Sequence, residues 1–178
     1  CQYGKDAGND YVIGTRKKIV NDIPVQGAYG VNSEGSGDMY YKGGNMIHMI
    51  RQVMNNDSAF RQLLIGMNTT FYHQTVTGKQ VENYINQTSG IDFSTLFDQY
   101  LRTTQIPVLE YIIKGEKLSY RWTDCVKGFN LPLKVNFAGE KWIRPTQKWK
   151  TIRNEKGAST EFAVDPNFYI QTKQSQQK

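Results

Sequence analysis

The sequence predicts an α+β chain, a lobe of short helices followed by a small antiparallel β-sandwich, on three observations. Up to residue 106, apolar residues recur at helical spacing in several short segments. After Pro107 the period switches to two. Glycine, proline, asparagine and aspartate punctuate both stretches at short intervals, so the elements are short and the connections tight. The expected division is a helical lobe over 1–106 and a sandwich over 107–178.

Taken in order, Gly4 to Val20 is expected to form a first helix with Tyr11, Val12, Thr15 and Ile19 on one side. Asp22 to Gly37 is rich in turn formers. A second helix is predicted over Asp38 to Met54, stopped by Asn55-Asn56-Asp57, and a third is capped by Asp57 or Ser58, with Phe60, Leu63, Leu64 and Met67 as its apolar stripe. Thr77-Gly78-Lys79-Gln80 reads as a capping box, in which hydroxyl and amide side chains each satisfy a free backbone group. The fourth helix it opens turns Val81, Tyr84 and Ile85 inward and stops at Ser89-Gly90. Asp92 is expected to cap the fifth, Phe93 to Thr103, whose inner face carries Phe93, Leu96, Phe97, Tyr100 and Leu101.

Beyond Pro107, strands are predicted at 108–113, 117–122 and 131–137, with Lys114-Gly115-Glu116 as a hairpin turn. Pro132 lacks a donor for a ladder, so it belongs at an edge or bulge. Trp142-Ile143, Lys148 to Ile152, Glu161 to Val164 and Phe168 to Gln171 supply shorter strands. Thr172 to Lys178 reads as a frayed polar tail.

At 178 residues, 38% hydrophobic and 21% charged, the chain is large enough for a real core. No run approaches the roughly 18 apolar residues that span a bilayer, so no membrane span is expected. There is no initiator Met or leader pattern, which suggests that the natural start is missing or removed. A lipid-bearing Cys1 is the lesser reading, because a helical pattern begins almost at once. Cys1 and Cys125 are too few for a disulfide framework and lack metal spacing. Nothing here fixes the compartment.

The net charge of +6 lies wholly in the second part, where thirteen Lys/Arg face seven Asp/Glu; residues 1–106 hold nine of each. These cations alternate along strands and do not form runs. They read as a solvated sheet face that discourages edge pairing, and no nucleic-acid partner is expected.

The stretch Gly35-Ser36-Gly37-Asp38-Met39-Tyr40-Tyr41-Lys42-Gly43-Gly44 runs from a small-residue loop into the second helix. It places a tyrosine hydroxyl at a loop-to-helix junction, able to face a cleft. This segment resembles the Tyr-x-Lys-Gly segment of zinc aminopeptidases of the aminopeptidase N and leukotriene hydrolase family, the gluzincins. Thr75-Val76-Thr77, Gly90-Ile91-Asp92-Phe93, Phe97-Asp98-Gln99-Tyr100-Leu101 and Ile106-Pro107-Val108-Leu109 follow in the family's order and spacing. The resemblance implies that the lobe is the second half of a thermolysin-like catalytic domain. It implies that Tyr40 donates a hydrogen bond to the oxyanion formed when zinc-bound water attacks a peptide carbonyl. A tyrosine phenol suits that task because it stands on a rigid stem and keeps its proton below about pH 10.

The family's His-Glu-x-x-His motif is absent: the only histidines are His48 and His73, neither followed by Glu. A catalytic zinc needs three converging protein ligands, so neither histidine is assigned to metal. The expectation is a C-terminal portion of a peptidase that removes N-terminal residues from peptides. Zinc would belong to the parent protein and not to this fragment, which alone would be inactive. Its partners would be peptide substrate and the missing N-terminal half. The alternative is a non-catalytic module, a helical lobe plus sandwich, that binds a peptide, glycan or protein.

Around Tyr40 the expected roles are modest. Tyr41 reads as structural, and Lys42 either as a neutraliser of Asp38 or Glu34, themselves read as loop carboxylates, or as a solvated lysine. Gly43-Gly44 is expected to admit a neighbouring helix closely. His48 reads as a satisfied core histidine, and His73 as a helix-end residue that complements the dipole. Asn68-Thr69-Thr70 and Asn86-Gln87-Thr88 match the glycosylation acceptor pattern, which is too short to decide anything.

Overall fold

The computed structural model of the chain describes residues 3–155, 157, 159 and 161–176. Five α-helices come first: α1 (Gly4–Thr15), α2 (Tyr41–Met54), α3 (Asp57–Thr70), α4 (Gly78–Ser89) and α5 (Ser94–Arg102). Seven strands follow: β1 (Val108–Lys114), β2 (Lys117–Thr123), β3 (Leu133–Phe137), β4 (Glu140–Ile143), β5 (Lys150–Arg153), β6 (Phe162–Val164) and β7 (Gln171–Gln174). The α+β class, a helical lobe leading into a small two-sheet sandwich, is what the structure has. Cys1 and the end of the polar tail lie outside the described residues.

Local chemistry accounts for most helix ends. The Thr77/Gln80 capping box is formed in both directions, and Gly90 stops α4 in the left-handed region at φ 68°. The α3 cap is Asn56, whose side chain accepts from Ala59 N at 3.0 Å, one residue before the predicted Asp57. Asp92 does accept from Ser94 N, at 2.9 Å, and α5 begins at Ser94. The first helix is shorter than predicted, because residues 16–18 tighten into a 3-10 turn. A second 3-10 turn, Gly37–Met39, precedes α2.

Helix α2 is the centre of the lobe, packing against α1, α3 and α5 and burying Met46, Met49 and Ile50. The close helix approach expected of Gly43-Gly44 is not there: a Cβ on either would meet open space. It belongs to Gly66 on α3, where a Cβ would collide with the Tyr84 hydroxyl of α4.

One sheet has the order β5-β2-β1-β7 and the other β4-β3-β6. The β1–β2 hairpin pairs Val108 with Thr123 and Lys114 with Lys117. Pro132 falls just outside β3, so its missing donor costs the ladder nothing. Three expectations fail at the C-terminal end, the first being the frayed tail from Thr172, whose residues to Gln174 are paired in a strand. The last strand is Gln171–Gln174, not 168–171, and it pairs with β1 in parallel rather than antiparallel. Phe168 is buried as a core anchor before that strand begins, while all four strand residues are exposed.

A single apolar cluster runs from Met46, Met49 and Phe97 in the helices to Trp122, Leu133, Phe137 and Phe168 in the sandwich. Polar bonds cross the same seam. The Tyr100 hydroxyl donates to the Tyr169 carbonyl, and Arg16 donates to the Pro166 carbonyl at 2.7 Å and the Asn167 carbonyl at 3.2 Å. Val126 N donates to Gln99 Oε1 at 2.7 Å. No helix among the described residues is long and apolar enough to cross a membrane.

Candidate functional site

The Tyr40 segment is built from the loop inward. Ser36 Oγ accepts from Asp38 N at 3.2 Å and donates to Asp22 Oδ1 at 2.9 Å, which sets the 3-10 turn. Asp38 is 2% exposed. Its carboxylate accepts from Val20 N at 3.0 Å and Asn21 N at 2.6 Å, so it ties the loop to the chain leaving α1. Asp38 is therefore not the loop carboxylate the sequence suggested; Glu34 is exposed as expected.

Lys42 is fully buried, in the first turn of α2. Its ammonium donates to Asn21 Oδ1 and to the Thr103 carbonyl, both at 2.7 Å. It makes no ion pair with Asp38 or Glu34 among the described residues. Burial draws the ammonium below the usual lysine value, and the charge of Asp38 pulls it partly back. Asn21, at φ 58°, turns its N–H toward Asp38 and its side chain toward Lys42 and the Thr104 carbonyl. Sequence reasoning missed Asn21 and Thr103. An asparagine in a turn is a common sight, and a lysine reads as solvated until its partners are known.

Tyr40 lies between these two anchors and behaves differently from both. It is 75% exposed, and its hydroxyl has no hydrogen-bond partner among the described residues. Gly43 and Gly44, one turn on, leave the space around the helix start open. Tyr41 has a structural part: its hydroxyl accepts from Lys18 at 3.5 Å, and the ammonium sits 5.1 Å from the ring centre. The arrangement is a rigid floor, Asp38–Asn21–Lys42, with one free phenol above it. Such a phenol can donate a proton to a ligand oxygen without first breaking an internal bond.

The remaining candidates are dispersed. His48 is buried at the seam, with its Nε2 at 2.9 Å from Asn167 Oδ1 and 3.1 Å from Gln52 Nε2, a core histidine as expected. Burial lowers its pKa, with the Asn167 bond acting the other way. His73 is exposed, three residues past the end of α3, at φ 52°. Cys125 is a half-buried free thiol whose pKa burial raises. Asn86 of the second acceptor pattern is spent inside the fold, accepting from Phe93 N at 2.9 Å. Among the described residues no three His, Cys, Asp or Glu side chains gather as a metal site. The residues present do not fit a catalytic zinc.

No family model matches the sequence, and no curated protein matches it. Among solved structures the fold is similar to that of Legionella pneumophila aminopeptidase A, solved in complex with aspartic acid. The TM-score is 0.62 at 11% identity over 82% of this chain. At that identity the likeness is one of fold alone. The match takes in 20% of the Legionella chain, so this chain spans about a fifth of its neighbour.

Proposed function

We propose that this chain is the C-terminal part of a zinc aminopeptidase of the aminopeptidase N and leukotriene hydrolase family, and that Tyr40 stabilises the oxyanion of peptide hydrolysis. The observation that carries the reading is the contrast within one turn. Asp38 and Lys42 are locked on either side, while the Tyr40 hydroxyl between them is exposed and unpartnered among the described residues. A preorganised donor lowers a barrier because it need not reorient as charge develops, and loss of one typically costs about 2.7–4 kcal/mol. The fold-level likeness to an aminopeptidase supports the same reading.

In this proposal the helices up to residue 106 form one wall of the substrate cleft, and residues 107–178 are the adjoining sandwich domain. The zinc ligands lie on polypeptide outside this chain, the described residues offering none, and this part alone does not hydrolyse peptides. The test is Tyr40→Phe in the intact peptidase. Turnover of an aminoacyl substrate should fall by roughly several hundredfold with zinc content unchanged. Turnover close to that of the unaltered enzyme removes Tyr40 from the mechanism.

A further inference from the structure

Two adjoining cavities, of about 600 and 430 Å³, run along the seam between the C-terminal end of α2 and strands β3 and β4. They share Asn55 and Trp142, so they form one groove with an indole at its midpoint. Each falls within the size range of ordinary small-molecule sites, about 300–1,000 Å³. Tyr40 lines neither. It sits at the other end of α2, about 20 Å away at 1.5 Å per residue.

The groove has a distinctive chemistry. Trp142 is 40% exposed and is held edge-on by Phe168, with ring centres 5.9 Å apart and planes at 88°. The indole is therefore braced on one side and remains partly open to a ligand. Beyond it the smaller cavity is lined by the carboxamides Asn9, Gln52, Asn55 and Asn136. Asn9 Oδ1 is buried with no hydrogen-bond partner among the described residues. One end of the Gln52 carboxamide lies against His48 Nε2 at 3.1 Å and the other is left, and Asn136 spends its Oδ1 on Gly139 N at 3.1 Å, which leaves Nδ2.

Some of the charges nearby are paired. Lys134 and Glu140 pair with each other at 2.7 Å, Lys5 pairs with Asp57 at 3.3 Å, and Asp165 accepts from Asn167 at 2.9 and 2.8 Å. Asp6 and Asp165 in one cavity and Asp92 and Arg144 in the other make no ion pair among the described residues, so the groove also carries carboxylates, which accept from hydroxyls. The groove thus offers donors and acceptors side by side, next to a flat aromatic ring. Saccharides have the complementary pattern. Each hydroxyl both donates and accepts, as a carboxamide does, and the C–H face of a pyranose ring lies flat against an indole.

We infer that this groove binds a neutral oligosaccharide, one ring stacking on Trp142 and its neighbour hydrogen-bonded by Gln52, Asn55 and Asn136. The inference is independent of the role proposed for Tyr40. The test is calorimetric titration of the chain with neutral tri- and tetrasaccharides of glucose, mannose and N-acetylglucosamine in α and β linkages. At least one should bind with Kd of about 1 mM or tighter. Trp142→Ala should weaken it by about tenfold or more, while Tyr40→Phe leaves it unchanged.

Asn55→Gly is the second variant. Asn55 ends α2 at φ 47°, a conformation glycine adopts freely, so this change removes the carboxamide without endangering the fold. It should weaken binding by about threefold or more. The inference is overturned if none of the saccharides binds. It is overturned equally if binding is indifferent to both groove variants, or if neutral tetrapeptides occupy the groove where saccharides do not.

Discussion

Lys42 Nζ lies 2.7 Å from Asn21 Oδ1, with the lysine fully buried and the asparagine in the left-handed region of backbone space. Through this contact and the Thr103 carbonyl, one ammonium joins the loop that follows α1, the start of α2 and the end of α5. Lys42→Met keeps much of the volume but strands two acceptors. Unfolding in urea should show a loss of about 3 kcal/mol at unchanged m-value. A loss under about 1 kcal/mol would mean that the acceptors find water and that the lysine is not the tie described.

Tyr100 is fully buried and donates its hydroxyl to the Tyr169 carbonyl across the seam. Burial raises its pKa well above the ordinary tyrosine value, so it remains a donor throughout the accessible range. Tyr100→Phe preserves the ring packing and leaves the carbonyl unpaired. Stability should fall by about 1–3 kcal/mol, and amide exchange in the 166–171 segment should quicken.

His48 gives the seam a pH dependence. Its folded pKa lies below the ordinary 6.5 because of burial, so the unfolded chain takes up a proton first as pH falls. The groups that face it are Asn167, whose Oδ1 accepts from it, the Gln52 carboxamide at 3.1 Å, and Arg51, Arg16 and Asp165 by charge. Stability should therefore decline as pH drops from 6.5 toward the lowered value and level off beneath it. His48→Gln should flatten that part of the curve. An unchanged slope in the variant would assign the dependence to another group.

Asp57, at the start of α3, accepts from Arg51 at 2.8 Å and pairs with Lys5 at 3.3 Å. Arg51 first and Lys5 second lower its pKa from 3.8 to about 2. Its contribution is full above 3.8 and is lost as pH falls from there to about 2. The carboxylate is half exposed, so the effect is small and screened by salt. Thermal melts from about pH 5 to about pH 2 should show a shallower acid loss in Asp57→Asn than in the unaltered chain. Parallel curves would refute the pairing.

The sequence on its own determined the elements whose causes are local. The Thr77/Gln80 box, the Gly90 stop and the hairpin over Lys114-Gly115-Glu116 each involve residues within a few positions of one another, so their geometry is written in the chain. The period change at Pro107 fixed the class for the same reason. Tyr40 was marked by its segment, and its exposure agrees with a residue held at a surface junction.

Tertiary structure decided what depends on distant partners. Strand β7 pairs with β1 through backbone alone and exposes all its side chains, so no hydrophobic alternation announced it. Lys42 and Asp38 read as surface charges, because their donors and acceptors, Val20, Asn21 and Thr103, lie 17 to 61 positions away. The groove under Trp142 arises only where α1, α2 and β4 meet. Local signals report what a residue does to its neighbours in sequence; burial of a charge and the shape of a cleft are set by which remote surfaces the core draws together.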